Sequence, residues 1–130
     1  MKNYLLIFAI LISFKLSGQS DTTIYNSVRQ AEVLPEFKGG TDALLLFISN
    51  NTKYPDHLKE KGIQGRAIVR FIITTDGKLV GAKVLNNVDP SFAEESLRVV
   101  NLTQNKWTPG KIGKENVNSF FTFPITFRLQ

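Results

Sequence analysis

The side chains that could carry acid–base or metal chemistry in this chain are few and poorly grouped. His57 is the only histidine, and it lies in a polar stretch with Asp56 and Lys59. A metal site needs several His, Cys or carboxylate ligands at suitable spacing, and the sequence has no such spacing. The adjacent carboxylates Glu94 and Glu95 would point in different directions on a helix, so they cannot form a facing acid–base pair. We therefore predict no enzyme activity, no cofactor and no metal, and we interpret His57 as an ordinary surface residue.

Two glycine-containing segments resemble phosphate-binding loops only superficially. Residues 110–114 read GKIGK, which lacks the spacing of a P-loop and is not followed by a helical pattern. Residues 62–65 read GIQG, the spacing of a KH nucleic-acid loop, but that loop joins two helices whereas this segment leads into a strand pattern. The basic residues are scattered along the chain rather than clustered. We predict no nucleic-acid binding.

The clearest pattern in the chain lies at its C-terminal end. Apolar residues there share one parity, while polar residues and a proline share the other. This alternation is typical of a strand with one buried face and one solvated face. The apolar set is Phe121, Phe123, Ile125, Phe127 and Leu129, and the other set is Thr122, Pro124, Thr126 and Arg128.

Pro124 indicates where this strand lies in its sheet. Proline has no N–H to donate, so a strand that carries one is expected at a sheet edge; a buried central strand is the alternative interpretation. An open edge with an apolar face behind it accepts another extended chain. The sequence therefore predicts peptide binding rather than catalysis.

Strand geometry extends this prediction to particular backbone groups. Residues of one parity direct their backbone groups to the same neighbouring strand. If the missing N–H of Pro124 faces the open side, the even-numbered residues present their backbone there, and the odd-numbered residues pair inward. The predicted peptide-binding residues are Phe120, Thr122, Pro124, Thr126 and Arg128.

The N-terminus has the composition of a secretory signal peptide. Lys2 precedes an apolar run at residues 4–14, and small and polar residues follow. A spanning helix needs roughly 20 apolar residues, and Lys15 ends this run well short of that. We predict a signal peptide at residues 1–19 and a periplasmic location after cleavage; the alternative is an inner-membrane anchor through residues 4–14.

The formal charge falls from +5 to +3 when Lys2 and Lys15 leave, and the lack of cysteine fits a bacterial envelope protein without disulfides.

The rest of the chain predicts one small domain. Residues 20–31 are polar and unpatterned, which predicts a flexible lead-in to a domain at residues 32–130. The periodicity of the domain first predicts a helix from Thr41 to about Asn50 and a short helix after Tyr54-Pro55. Strands at 64–75 and 78–86 follow, joined by an Asp76-Gly77 hairpin. A helix from Pro90 or Ser91 and the last strand complete the domain. This order predicts an α+β fold, with a small antiparallel three-stranded sheet and helices packed on one face.

Several side chains are expected in the core of this fold. Helical spacing predicts buried stripes of Leu44, Phe47 and Ile48 in the first helix, and of Ala93, Leu97 and Val100 in the third. Trp107, at the start of a loop, has two readings, an exposed anchor for a partner or a plug of the core. We favour the plug.

Taken together, these segments resemble the C-terminal domain of TonB-family energy transducers, in the form common in Bacteroidetes-type envelopes. The resemblance covers residues 32–130, and the order and spacing of its segments are more specific than any one of them. The segments that carry it are Leu34-Pro35-Glu36-Phe37-Lys38-Gly39-Gly40, Tyr54-Pro55, Gly62-Ile63-Gln64-Gly65-Arg66, residues 69–77, Trp107-Thr108-Pro109-Gly110-Lys111 and residues 124–129.

The resemblance implies a periplasmic domain that binds the TonB box, a short segment near the N-terminus of outer-membrane receptors, by strand addition. It also implies energy-dependent transmembrane transport, in which a complete TonB-type transducer or an ExbB–ExbD type motor supplies the force. The family's long periplasmic spacer has no counterpart between Ser20 and Glu32, where about 12 residues reach roughly 40 Å at full extension. We therefore expect this chain to bind, and whether it also transmits force stays open.

Two functional interpretations remain open from the sequence. The first is a module that captures TonB-box peptides of outer-membrane receptors. The second is a structural or adaptor protein of the envelope that uses the same open edge for another protein partner or for self-association as a homodimer.

Overall fold

The structure is a computed structural model that describes residues 20–130. Its helices are α1 (Ser20–Asn26), α2 (Gly40–Asn51), α3 (Asp56–Glu60) and α4 (Pro90–Asn101). Its strands are β1 (Glu36–Phe37), β2 (Gly65–Ile73), β3 (Leu79–Val84), β4 (Trp107–Thr108), β5 (Gly110–Ile112), β6 (Glu115–Val117) and β7 (Ser119–Phe127).

The main sheet has three antiparallel strands in the order β3-β2-β7, which confirms the predicted α+β class and places β7 at an edge. The strand β7 pairs with β2 along its whole length, from Gly65 opposite Phe127 to Ile73 opposite Ser119. Two small ribbons, β1-β4 and β5-β6, were not predicted. They form from segments of two or three residues, too short to show an alternating pattern.

Local chemistry explains where the main elements turn and begin. Gly77 adopts φ 80°, the left-handed conformation that the β2-β3 hairpin requires. The helix α4 begins at Pro90, and the Asp89 side chain accepts a hydrogen bond from the Ser91 N–H at 2.9 Å, which decides between the two predicted starts. The helix α2 begins at Gly40, one residue before the predicted Thr41, and no side chain caps it.

The core lies between the main sheet and α4, and we call this side of the sheet its core face. It holds Phe71 and Ile125 from the sheet and Phe92 from α4, all at most 2% exposed. Trp107 is 8% exposed, and its indole N–H donates to the Thr103 hydroxyl at 2.9 Å. It is therefore a residue of the core, as predicted, and not an exposed anchor. The rings of Trp107 and Phe71 meet edge to face, with centroids 5.3 Å apart.

The opposite side of the sheet, which we call the outer face, is partly covered by α1. The Tyr25 ring meets the Phe120 ring edge to face at 5.9 Å. Beyond the helix, the Arg29 N–H donates to the Asn118 carbonyl at 2.9 Å. The sequence predicted a flexible, unpatterned lead-in over residues 20–31; the structure places α1 in this segment and joins it to the domain through the Arg29–Asn118 hydrogen bond. The sequence of α1 has no apolar periodicity that would indicate a helix, since its aromatic contact with the sheet depends on one tyrosine.

The predicted signal peptide at residues 1–19, and the alternative anchor at 4–14, lie outside the described residues. Within residues 20–130, no helix combines the length and apolar character that crossing a membrane requires.

Candidate functional site

The strand β7 separates two kinds of side chain, as its alternation predicts. Ile125 and Phe127 are 2% and 3% exposed on the core face. Thr122, Pro124 and Thr126 are exposed on the other side. Phe121 and Phe123 are half-buried and pack against the core. The strand therefore has an anchored face, and its free edge is held in place by that packing.

The backbone of Ile68 shows which way the backbone of β7 points. Ile68 lies opposite Pro124, yet its N–H donates to the Asn86 side chain at 2.8 Å and its carbonyl accepts from the Leu85 N–H at 2.8 Å. Both groups thus face away from β7, so Ile68 and Pro124 form a non-hydrogen-bonded pair. Hydrogen-bonded and non-hydrogen-bonded pairs alternate in an antiparallel ladder, so Thr122 and Thr126 share the orientation of Pro124.

The even-numbered residues of β7 therefore turn their N–H and carbonyl groups to the open side of the sheet. Among residues 20–130, no hydrogen bond from another segment reaches the backbone of Thr122 or Thr126 from that side. The missing N–H of Pro124 falls in the same row, where it interrupts no pairing with β2. The edge can accept hydrogen bonds from, and donate them to, another extended chain.

A groove of about 350 Å³ runs beside this edge. One wall is the 123–128 segment of the chain. The other wall is α2 and the residues that follow it, contributing Leu45, Ile48, Ser49, Thr52 and Tyr54. Leu45 is 50% exposed, and it gives the groove an apolar lining on the helix side. The groove thus offers free backbone groups along one wall and apolar and hydroxyl side chains along the other.

Tyr54 fixes the end of the groove to the core. Its ring meets Phe92 and Phe127 edge to face at 5.6 Å and 5.8 Å, and its hydroxyl donates to the Ile63 carbonyl. Since Tyr54 follows α2 directly, these contacts hold the helix wall at a fixed distance from β7.

Glu95 and Arg98 of α4 hold the same wall through the backbone that follows α2. Arg98 donates to both carboxylate oxygens of Glu95, at 2.7 Å each, and to the Asn51 carbonyl at 2.7 Å. Glu95 also accepts from the Lys53 N–H. The Arg98 hydrogen bond lowers the pKa of Glu95 below its ordinary value, outweighing the opposing effect of partial burial. The contact of Glu95 with residue 53 was not predicted from the sequence.

The structure places the five predicted site residues at three different points along β7 and its C-terminal end. Pro124, Thr126 and Arg128 line the groove. Thr122 is exposed further along the same edge. Phe120 lies at the far end of β7, where Tyr25 packs on it and the Arg70 guanidinium lies 4.2 Å from its ring centroid.

Sequence reasoning missed the helix wall of the groove. Leu45, Ser49 and Thr52 recur at helical spacing, but they lie outside the stripe Leu44, Phe47 and Ile48 that marks the buried face. An exposed leucine beside a buried stripe is a weak signal, because single apolar residues are common on protein surfaces. Among the described residues, no group of three or more His, Cys, Asp or Glu side chains is arranged to hold a metal ion.

Comparison with known proteins agrees with this fold. Two solution structures of the Helicobacter pylori TonB C-terminal domain resemble the chain. The longer fragment has 22% identity and a TM-score of 0.56, over 67% of this chain and 78% of that one. The shorter has 25% identity and a TM-score of 0.53, over 68% of this chain and 91% of that one. No curated protein sequence matches the chain. The family model for the Gram-negative bacterial TonB protein C-terminal matches residues 50–129, more than half of the chain, and the chain therefore belongs to the family of TonB C-terminal domains.

Proposed function

We propose that this chain captures an extended peptide by adding it as a strand to the free edge of β7, and that the peptide is the TonB box of an outer-membrane receptor. Membership of the TonB C-terminal family implies a role in TonB-dependent transport. The residues proposed to bind the peptide through their backbone are Thr122, Thr126 and Arg128, with Pro124 leaving one position without a donor.

One observation carries this proposal. Ile68 directs both of its backbone groups away from Pro124, so the unpaired backbone groups of β7 face the groove side of the sheet. A strand added there would lie about 4.8 Å from β7. Each main-chain hydrogen bond that it forms contributes roughly 0.5–1.5 kcal/mol net.

The groove also favours a particular side-chain pattern in the peptide. Alternate residues of an added strand would point to the two faces of the extended sheet. Those on the core side would contact Leu45, Ile48 and Tyr54, and apolar side chains would bury surface there. Those on the other side would lie beside Thr122 and Thr126, where polar side chains remain hydrated. The preferred ligand is therefore a segment that alternates apolar and polar residues.

The test is an amide NMR titration with N-terminal segments of the host's outer-membrane receptors, each at up to ~1 mM, where weak binding is detectable. We expect shifts at residues 122–128 and at Leu45 and Ser49 across the groove. The matched control is the same peptide with its edge-facing amides N-methylated, which keeps the side chains but removes the donors. That peptide should cause no shifts.

Either of two results would contradict the proposal. Equal shifts with the methylated peptide would mean that side chains, not strand addition, account for binding. The absence of shifts with every receptor segment, together with self-association through β7, would favour the adaptor interpretation.

A further inference from the structure

The strands of the main sheet place cations, and no anions, on its outer face. The strands β2, β3 and β7 contain no aspartate or glutamate, and their cations are Arg66, Arg70 and Lys83. Arg66 and Arg70 lie opposite Thr126 and Thr122, and Lys83 lies opposite Arg70. Residues directly opposite in a ladder share a face, so all three cations lie on the outer face.

The pairing of Arg70 with Lys83 is unfavourable for the isolated chain. Like charges directly opposite each other destabilise a sheet. Arg70 is partly accommodated by the Phe120 ring, 4.2 Å from its guanidinium carbon. Among the side chains that the structure describes, the one ion pair joins Arg98 to Glu95, so none of the three outer-face cations has a carboxylate partner there. This arrangement becomes favourable when an anionic surface lies against the face.

Apolar side chains lie among these cations. Ile68 is half-buried between Arg66 and Arg70 on the same strand, and exposed Pro124 lies opposite it. Leu85, which donates its N–H to the Ile68 carbonyl, is 46% exposed. The helix α1 covers only the other end of the face, at Tyr25 and Phe120. Beyond α1, the outer face thus presents apolar side chains next to cationic ones.

A recess at the rim of this face has the chemistry of a phosphate site. It measures about 320 Å³, and its lining includes Arg66, Thr126 and Arg128. Two guanidinium groups and a hydroxyl are well suited to phosphate oxygens, because a guanidinium can donate two parallel hydrogen bonds.

We propose that the outer face of the sheet docks on an anionic phospholipid surface, with a headgroup phosphate in the Arg66–Arg128 recess. A bilayer fits better than an acidic polypeptide for two reasons. The cations are spread along the sheet rather than gathered at one point, with Arg66 and Arg70 about 13 Å apart along β2. The apolar side chains between them can enter the headgroup layer, as in interfacial membrane binding. The face is perpendicular to the hydrogen-bonding direction of the β7 edge, so a docked domain keeps that edge accessible.

The first experiment compares two charge-matched variants by vesicle sedimentation. R66Q/R70Q/K83Q removes the outer-face cations, and K38Q/K59Q/K114Q removes three exposed cations from other segments. Both keep residues 1–19, so any contribution of that segment is common to the pair. The vesicles are phosphatidylcholine alone, or equal parts phosphatidylcholine and phosphatidylglycerol.

We expect the outer-face variant to lose affinity for the anionic vesicles by roughly 100-fold, about fivefold per cation. The control variant should also lose some affinity, but the logarithm of its loss should be less than a third of that of the outer-face variant. Adding salt should weaken the wild-type binding, since the Debye length falls from about 10 Å at about 0.1 M to about 3 Å at about 1 M. Equal losses in the two variants would overturn the proposal, because they would show that net charge alone matters.

A second experiment reads the orientation directly. The chain has no cysteine, so T122C and T41C each accept one environment-sensitive fluorophore. The Thr122 label lies on the outer face, and the Thr41 label lies at the start of α2. Anionic vesicles should shift the emission of the first label to the blue and leave the second unchanged. Equal shifts, or none at Thr122, would refute the docking; binding of polyglutamate in place of vesicles would assign the face to an acidic protein.

Discussion

The two edges of the main sheet differ in how their outward backbone groups are satisfied. On β3, the Leu79 N–H donates to the Gln104 side-chain oxygen at 2.8 Å, and the Leu79 carbonyl accepts from the Gln104 amide at 2.9 Å. One side chain thus occupies the place that a neighbouring strand would take. On β7, no described segment occupies the corresponding place beside Thr122 or Thr126.

The geometry of the two strands follows the same division. The strand β3 has six residues, its register with β2 shifts between Arg70 and Ile72, and Gly81 adopts φ 65°. Short, irregular edges are poor templates for another strand. The strand β7 has nine residues in unbroken register. The fold therefore caps the β3 edge at Leu79 and leaves the longer β7 edge uncapped, so the two edges of this small sheet are not equally available.

The largest effect should come from comparing proline at an odd-numbered position of β7 with proline at an even-numbered position. Ile125→Pro removes an N–H that pairs with β2 and a side chain that is 2% exposed. We expect a loss of about 4 kcal/mol in the free energy of unfolding, from the lost apolar burial and the unpaired carbonyl of β2. Thr126→Pro removes an outward N–H and should change stability by less than about 0.5 kcal/mol. Urea unfolding measures both.

The same pair of variants separates folding from binding. Thr126→Pro should weaken peptide binding by about three- to tenfold, the equivalent of one main-chain hydrogen bond. Ile125→Ala is the control that removes the side chain but keeps the N–H, so its difference from Ile125→Pro isolates the backbone. If Thr126→Pro unfolded the domain as Ile125→Pro does, the orientation assigned to the backbone of β7 would be wrong.

Removing the Gln104 cap from the β3 edge is the next test. Gln104→Ala leaves the Leu79 N–H and carbonyl without their partners, and we expect a loss of about 1–3 kcal/mol in the free energy of unfolding. Gln104→Glu keeps an acceptor for the N–H but has no donor for the carbonyl, so its loss should be intermediate. Sedimentation velocity should also show more self-association for Gln104→Ala, because it exposes a second edge. An unchanged stability would mean that Gln104 does not protect this edge.

The contrast between the edges also separates what sequence can and cannot predict. The faces of β7 and its edge position followed from local information, namely strict alternation and one proline. Gln104 was invisible because its partner Leu79 lies 25 residues away, and nothing in a lone glutamine indicates an edge cap. The helix α1 was missed for a similar reason, since its contact with Phe120 depends on one tyrosine.

The helix α4 shows how packing decides between similar patterns. Helical spacing predicted a buried stripe of Ala93, Leu97 and Val100. The structure buries Phe92, Ser96, Val99 and Val100, and leaves Ala93 and Leu97 half-buried. The buried face of α4 is therefore rotated about the helix axis relative to the predicted one, because Phe92 stacks on Phe127 with ring centroids 4.3 Å apart. This contact joins two elements that are distant in sequence, so periodicity within the helix could not reveal it.

A smaller effect should distinguish the two exposed leucines of α2. Leu45 lines the groove, whereas Leu46, 62% exposed, faces another part of the surface. Leu45→Ala should lower the affinity for a receptor segment by about three- to tenfold, from roughly 1 kcal/mol of lost apolar burial in the complex. Leu46→Ala is the matched control and should leave the affinity unchanged. Isothermal titration calorimetry measures both; equal losses would show that the peptide does not enter this groove.

The smallest effect concerns the ion pair that holds the helix wall of the open edge. The Glu95 side chain is 12% exposed and that of Arg98 is 42% exposed, so solvent screens the pair and its contribution to stability is small. Because the Arg98 hydrogen bond lowers the pKa of Glu95 in the folded state, this contribution is complete above the ordinary value of 4.5 and is lost as pH falls through the lowered value. Glu95→Gln should therefore reduce the free energy of unfolding at neutral pH and flatten its dependence on pH in that acidic window.

Glu94→Gln, at the exposed neighbouring position, is the control for Glu95→Gln because it removes the same charge without touching residues 51–53. Chemical unfolding at several pH values gives both profiles. If Glu95 acts by holding the wall of the groove, its variant should also weaken peptide binding at neutral pH, whereas Glu94→Gln should not. A loss of stability with unchanged peptide affinity would show that the open edge alone, without a positioned helix wall, accounts for binding.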